Sequence, residues 1–329
     1  NDFAYDIAVN DTVVYITGVI GESAKFDAIS VTTIGSSDVF LAKYSSSGDV
    51  QWVKNAGGIY GGNTSYGLAL IGINIYITGS FKKTATFNTT DINSIEDADI
   101  FLAKYDIDGG FIWVKSAGSG GGFDVGSQIA CDTNGNIYVT GSFNGKAFFN
   151  NTEISSAGDI DIFLAKYNSN GNLQWVRSAG GIGSDVVGGI AINGTDIYIT
   201  GNYTGVAKFN NTNITSVGVQ DVFLAKYNSI GNLLWVKSAG GISTDDAFGV
   251  SVNSTGIYVT GIFKGTATFN TTNITASGME DIFLAKYNSS GILQWVRRAG
   301  GTKWDNPYGI AVNGTELYIV GSFVGTATF

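Results

Sequence analysis

Apolar residues along this chain fall in short runs separated by Gly, Asn, Ser and Thr, and no segment sustains a 3.6-residue period, so helix is expected to be nearly absent. "GIAIN" (Gly189 to Asn193), the dipeptide "GT" and "DIYITGNY" (Asp196 to Tyr203) read as a β-hairpin, two β-rich runs about a Gly-containing turn. "DVFLAKYN" (Asp221 to Asn228), "SIGN" and "LLWVKSAGG" (Leu233 to Gly241) read as a second hairpin. Between them "TGVAKFNNTNITSVGVQ" (Thr204 to Gln220) predicts a small extra hairpin or loop. The run "VFLAKY" is almost continuously apolar rather than alternating, as expected of a strand covered on both faces.

The same units recur along the chain. The Asp that opens "D[IV]FLAKY" stands at Asp38, Asp99, Asp161, Asp221 and Asp281, at spacings of 61, 62, 60 and 60. Trp52, Trp113, Trp175, Trp235 and Trp295 repeat those spacings, while "Y[IV][TV]G" ends at Gly18, Gly79, Gly141, Gly201, Gly261 and Gly321. Six copies of one hairpin therefore accompany five of the other. Four strands per repeat, repeated radially, is the β-propeller arrangement, in which face-to-face blades leave only short, protected edges. A parallel β-helix is the rival, but its coils are much shorter. The expected fold is an all-β propeller in one domain, with blades at about 1–60, 61–121, 122–182, 183–242 and 243–302 and a partial sixth at 303–329. "GIAIN" would be innermost, then "IYITG", "FLAKY" and, outermost, "LLWVK".

The motifs "GIAVN", "IYVTG", "GTATFN", "DIFLAKY" with its trailing "LQWV", and "AGG" resemble the SBBP family of β-propeller repeats, from about Phe3 to Phe329. The resemblance implies a propeller in a large secreted or surface protein of bacteria or archaea, and it brings no catalytic motif. The sixth repeat departs from the pattern by stopping at "GTATF". Its third and fourth strands are expected from residues beyond Phe329 or from a neighbouring subunit.

Composition narrows the function. Apolar residues make up 44% and charged residues only 14%, against roughly a quarter charged in a typical domain. Asn, Ser, Thr and Gly must therefore cover the surface. There is one Cys, Cys131, and no His, which removes internal disulfides and the commonest general base and metal ligand. A net charge of −9 argues against a nucleic-acid partner. No run approaches the roughly 18 apolar residues that span a bilayer. Beginning at Asn1 rather than Met, the chain reads as a processed protein or part of a longer one.

The chemistry-bearing residues mostly follow the repeat. Lys43, Lys104, Lys166, Lys226 and Lys286 occupy one position of the third strand, where an aliphatic stem packed between blades can carry its ammonium to a carboxylate or carbonyl. The five repeated Trp residues are expected to pack against the next blade, whereas Trp304, outside the pattern, is the better ligand candidate together with Asp305. "DIDGG" (Asp106 to Gly110) begins like a calcium loop but lacks the rest of one. Acidic loops carrying Asp124, Asp185, Asp245, Asp246 and Asp305 enter the inner strands and could ring a channel mouth. No nucleophile elbow, metal-ligand cluster or phosphate loop is found, so no catalytic residue, metal or cofactor is assigned.

Asn-x-Ser/Thr occurs at Asn10, Asn63, Asn88, Asn150, Asn193, Asn202, Asn210, Asn213, Asn253, Asn270, Asn273, Asn288 and Asn313, largely in inferred turns where N-glycan attachment would spare the core. The expectation is an extracellular or cell-surface glycoprotein, a structural or adhesive module that self-associates or contacts neighbouring surface proteins, with a filament or surface layer as the assembly it would serve. A carbohydrate-binding module is the alternative, and a polysaccharide hydrolase or lyase comes after it.

Overall fold

A computed structural model describes all 329 residues, and its regular elements are β-strands alone. The chain divides into two compact units, residues 1–155 with 163–177, and residues 156–162 with 178–329.

In the first unit the earliest blade orders its strands Phe3–Asn10, Val13–Ile20, Asp38–Tyr44 and Val50–Ala56, all antiparallel. The second orders Thr64–Ile71, Asn74–Phe87, Thr90–Asp106 and Phe111–Ala117 in the same way. A third comprises Val125–Cys131, Ile137–Phe149, Thr152–Tyr167 and Leu173–Gly181. The second unit holds a fourth (Val186–Asn193, Asp196–Tyr203, Asp221–Asn228, Leu233–Gly241) and a fifth (Asp246–Asn253, Gly256–Phe263, Asp281–Tyr287, Leu293–Gly301). This is the order read from the repeat, and the fold is an all-β propeller fold of five four-stranded blades. The expected sixth blade is corrected: Asp305–Asn313 and Glu316–Phe323 form a two-stranded hairpin only, because no third or outer strand lies against it.

Each first hairpin is made locally. Asn193 pairs with Asp196 across Gly194, whose φ of +61° is a conformation in which a side chain is strained. Every inner strand carries one register slip at the same place, between Ala4/Asp6, Ser65/Gly67, Gly126/Gln128, Val187/Gly189, Ala247/Gly249 and Pro307/Gly309. Such a bulge sharpens the local twist of the strand.

The segment between hairpins is itself a ribbon, Val206–Phe209 with Thr212–Thr215 and Thr266–Phe269 with Thr272–Thr275. In the second blade the same ribbon is a continuation of the long second and third strands. Each ribbon clasps the outer strand of the preceding blade: Ala179–Gly181 pairs with Ala207–Phe209, and Ala239–Gly241 with Ala267–Phe269. The clasp brings ribbon phenylalanines over third-strand ones, Phe87 on Phe101 at 5.0 Å and Phe269 on Phe283 at 4.9 Å. The cores of both units are built from such rings and from the apolar residues of the second and third strands.

Candidate functional site

The recurrent Asp of "D[IV]FLAKY" and the "AGG" that follows the Trp form one construction. Asp161 is buried at the start of its third strand, and its Oδ2 accepts the Ala157 N–H at 2.8 Å. Asp185, entering the next inner strand, is also buried; its Oδ2 accepts the Gly181 N–H at 2.7 Å and its Oδ1 the Thr204 N–H at 3.1 Å. Gly180 is glycine because a Cβ there would lie 2.4 Å from Asp161 Oδ1 and 2.8 Å from Asp185 Oδ2. Asp221/Asp245 beneath Gly240 repeats this arrangement, and Asp99/Asp124 beneath Gly118 is a close relative. Burial, followed by repulsion from Asp124, pushes the Asp99 carboxyl up to about 7. Burial likewise lifts Asp124, Asp161, Asp185 and Asp245 to about 6, and raises Asp221.

This corrects the reading of the acidic loops as a channel mouth. Asp124, Asp185, Asp245 and Asp305 are buried, with oxygens committed to N–H donors of the surrounding loops. Sequence reasoning placed "AGG" at the end of the outermost strand and gave its glycines no partner. The signal lay in an invariant spacing of 19 residues from each Asp (Asp38, Asp99, Asp161, Asp221, Asp281) to its glycine (Gly57, Gly118, Gly180, Gly240, Gly300).

The lysine and tryptophan positions are structural, as read. Lys43, Lys104 and Lys226 lie over the second-strand Tyr15, Tyr76 and Tyr198, 5.8, 5.4 and 5.4 Å from the ring centres. Their ammonium groups donate to the carbonyls of Ile107 (2.9 Å), Ser169 (3.1 Å) and Ser289 (3.4 Å) in a turn of the following blade. Lys226 also meets Asp196 at 2.7 Å. Trp235 sits 6.2 Å from Tyr198 and donates from Nε1 to Ser289 at 3.3 Å. Trp52 and Trp113 pair with Tyr15 and Tyr76 in the same way, both at 6.1 Å.

The two proposed ligand residues separate. Trp304 is 42% exposed, but Asp305 is wholly buried, its Oδ2 accepting the Gly301 N–H at 2.7 Å, so it cannot meet a surface ligand. Among the sequons, Asn63 is a correction too. It is 1% exposed and its Nδ2 donates to the Ser37 carbonyl at 3.2 Å, which leaves no space for a glycan. Asn88, Asn150, Asn210 and Asn270 share one geometry, the first turn residue of the inter-hairpin ribbon, with φ of +56°, +53°, +51° and +55°. Asn213 and Asn273 follow on its exposed second strand, and Asn10, Asn193 and Asn313 are exposed at hairpin turns. Asn202, Asn253 and Asn288 are half-buried; the Asn253 Nδ2 donates to Gly314 at 2.7 Å, and the Asn288 Oδ1 accepts the Ser290 and Ile292 N–H groups.

Two of the turn asparagines border equivalent shallow clefts. One of about 360 Å³ is lined by Lys54, Asn55, Asn88, Tyr105 and Phe111, and one of about 150 Å³ by Lys237, Ser238, Asn270, Tyr287 and Leu293. Each lies between an outer strand and the turn of the following blade.

Blades of this order, clasp and glycine-aspartate construction define a β-propeller repeat protein. More narrowly, residues 112–148 match the SBBP β-propeller repeat and carry it. The chain is also similar to an uncharacterized WD repeat-containing protein of Acanthamoeba polyphaga mimivirus, 34% identical over 166 residues, covering 44% of this chain and 12% of that protein. It is 23% identical over 267 residues to the regulatory protein FlaEY of Caulobacter vibrioides, covering 73% of this chain and 28% of that one. The chain thus spans well under a third of the length of these relatives. A crystal structure of a protein of unknown function from Bacteroides caccae aligns over 86% of this chain and 93% of its own, with 10% identity and a TM-score of 0.37.

Proposed function

We propose that this chain is a non-catalytic structural or adhesive module of a secreted or cell-surface glycoprotein. The observation that carries the reading is the fourfold recurrence of a sequon asparagine at one hairpin apex, Asn88, Asn150, Asn210 and Asn270. A two-residue turn needs only a residue that tolerates positive φ, and Asp27 does that work at the equivalent place in the first repeat. The later repeats instead carry asparagine followed two residues on by threonine, the acceptor pattern for N-glycan. Intact mass of the protein from its native source should exceed that of the bare polypeptide, with glycopeptides at several of the four apices. A mass equal to the polypeptide would overturn the reading.

We propose that the last hairpin is where further strands are added. Glu316–Phe323 presents an unpaired edge, whereas the equivalent strand in every other repeat is covered by a "D[IV]FLAKY" strand. We propose that the occupant of this edge is the outer hairpin of a further SBBP-type repeat, which completes a sixth blade by strand addition. A labelled peptide of the Asp281 to Gly301 sequence should bind the chain and be released by Ile319→Pro, which removes an edge N–H. Equal binding of a scrambled peptide would sink the idea.

A further inference from the structure

We infer that the junctions Asp99/Asp124, Asp161/Asp185 and Asp221/Asp245 each hold one proton shared between their two carboxyl groups, an acid–carboxylate link that fastens consecutive blades and that alkali removes. The argument starts from the oxygens. At Asp161/Asp185 three of the four accept backbone N–H groups, from Ala157, Gly181 and Thr204. The fourth, Asp161 Oδ1, is buried without any partner, as is Oδ1 of the equivalent Asp38, Asp99, Asp221 and Asp281; what sets three junctions apart is a second buried carboxyl with no cation beside it. Asp161 Oδ1 faces Asp185 Oδ2 across the space that the missing Gly180 side chain leaves free. A bare oxygen there would oppose a second carboxylate in a dry site, whereas an Oδ1–H donating to the neighbouring carboxylate satisfies both.

A cation fits this donor set badly. Calcium takes six to eight oxygens, and N–H groups already occupy most of those present. The other titratable groups around the pairs supply no counter-charge. Tyr203 faces both Asp185 and Asp221 and hydrogen-bonds Ser238; Asp246 adds a negative charge beside Asp245 and is itself held by Gln220; Glu280 and Lys264 lie beyond Asp246. Ser119 donates its hydroxyl to Asp124 at 3.2 Å.

Two junctions show the alternatives. In the first repeat Asn63 stands where the second acid would be, bonded to the Ser37 carbonyl, and Asn55 donates to Asp38 Oδ2 at 3.1 Å. In the fifth, Arg298 brings a positive charge to Asp281 Oδ2 at 2.9 Å, while Oδ1 of Asp281 and of Asp305 remain without a partner. The corresponding positions at the three proposed junctions are Ser116, Ser178 and Ser238.

Because these folded-state carboxyls are raised above the unfolded value of about 3.9, the native protein keeps protons that the unfolded chain has released. Stability from this source is complete below about pH 4 and is lost as pH rises through 6 to 7, after which it levels off. The test is thermal unfolding of the whole chain from pH 5 to 8, with infrared detection of the protonated-carboxyl stretch at pH 5.5. The melting temperature should fall by about 5 °C over this interval, and the stretch should be present.

Asp161→Asn puts a permanent amide donor where the Oδ1–H stands. The triple variant Asp99→Asn, Asp161→Asn, Asp221→Asn should therefore lose most of the stretch, flatten the pH profile and melt above the parent at pH 8. A parent whose melting temperature is level or rises from pH 5 to 8, or that shows no such stretch, overturns the proposal. So does a folded triple variant with the parent's slope. Because burial also lifts Asp6 to about 6, the loss of signal in the triple variant, or in each single Asp→Asn variant if the triple does not fold, assigns it to the junctions.

Discussion

The fifth blade and the last hairpin start from nearly the same sequence and meet opposite fates. "GVSVNSTGIYVTGIF" and "GIAVNGTELYIVGSF" pair in the same register with the same inner-strand bulge. Yet Tyr258 is 4% exposed and Tyr318 55%, and Phe263 is 0% exposed and Phe323 56%. The backbone of the hairpin is thus a local product of turn and β-branched residues. Its burial is conferred from outside, by the "D[IV]FLAKY" strand, the outer strand and the clasped ribbon. The earliest inner strand differs in cause: Phe3, Tyr5, Ile7 and Val9 remain exposed although that blade has its third and outer strands.

The largest effect that would sharpen this contrast comes from the equivalent phenylalanines. Phe263→Ala should lower stability by about 3–5 kcal/mol, since it empties a fully enclosed site. Phe323→Ala should change it by about 0.5 kcal/mol or less, as at other exposed positions. Urea denaturation of the pair checks both, and equal losses would mean that the last hairpin is covered in solution. The tryptophans come next. Trp235→Ala, which removes a half-buried ring between Tyr198 and Ser289, should cost about 2–3 kcal/mol, and exposed Trp304→Ala about 0.5 kcal/mol or less.

The smallest effect is the most diagnostic. Thr17, Thr78, Thr140, Thr200 and Thr260 each donate a hydroxyl to the carbonyl of a third-strand Phe at 2.6–2.9 Å, and Val320 stands at that position in the last copy. Thr260→Val should cost about 1 kcal/mol by removing one buried hydrogen bond. Val320→Thr should change nothing measurable in the isolated chain, because no strand faces it.

Much of this was legible in the residues. Strand order, hairpin turns and the packing roles of Lys226 and Trp235 follow from patterns that repeat every 60 residues, because repetition averages away the ambiguity of any single short strand. What was not legible is where a polar residue goes when the pattern does not say which side of it is wet. Asp185 and Asp305 lie in glycine-rich loops that read as surface, and only the folded chain brings Ile160 or Glu280 carbonyls and the neighbouring glycine amides around them. Asn63 was misread for the same reason. Its sequon is intact, but the loop Gly57 to Gly62 folds it inward against Ser37. The count of blades failed differently, since six copies of an inner hairpin do not make six blades without six outer ones.

The clasp between each ribbon and the preceding outer strand has a mechanical meaning. It is only three residue pairs long at Ala179–Gly181 and Ala239–Gly241. Within the second unit, a chain drawn out under tension would lose one clasp and then meet the next as a fresh obstacle. Extension would then proceed in steps of one repeat, each absorbing work before the next gives way. Held in tension, the chain would behave as a series of small fuses rather than as one that parts all at once.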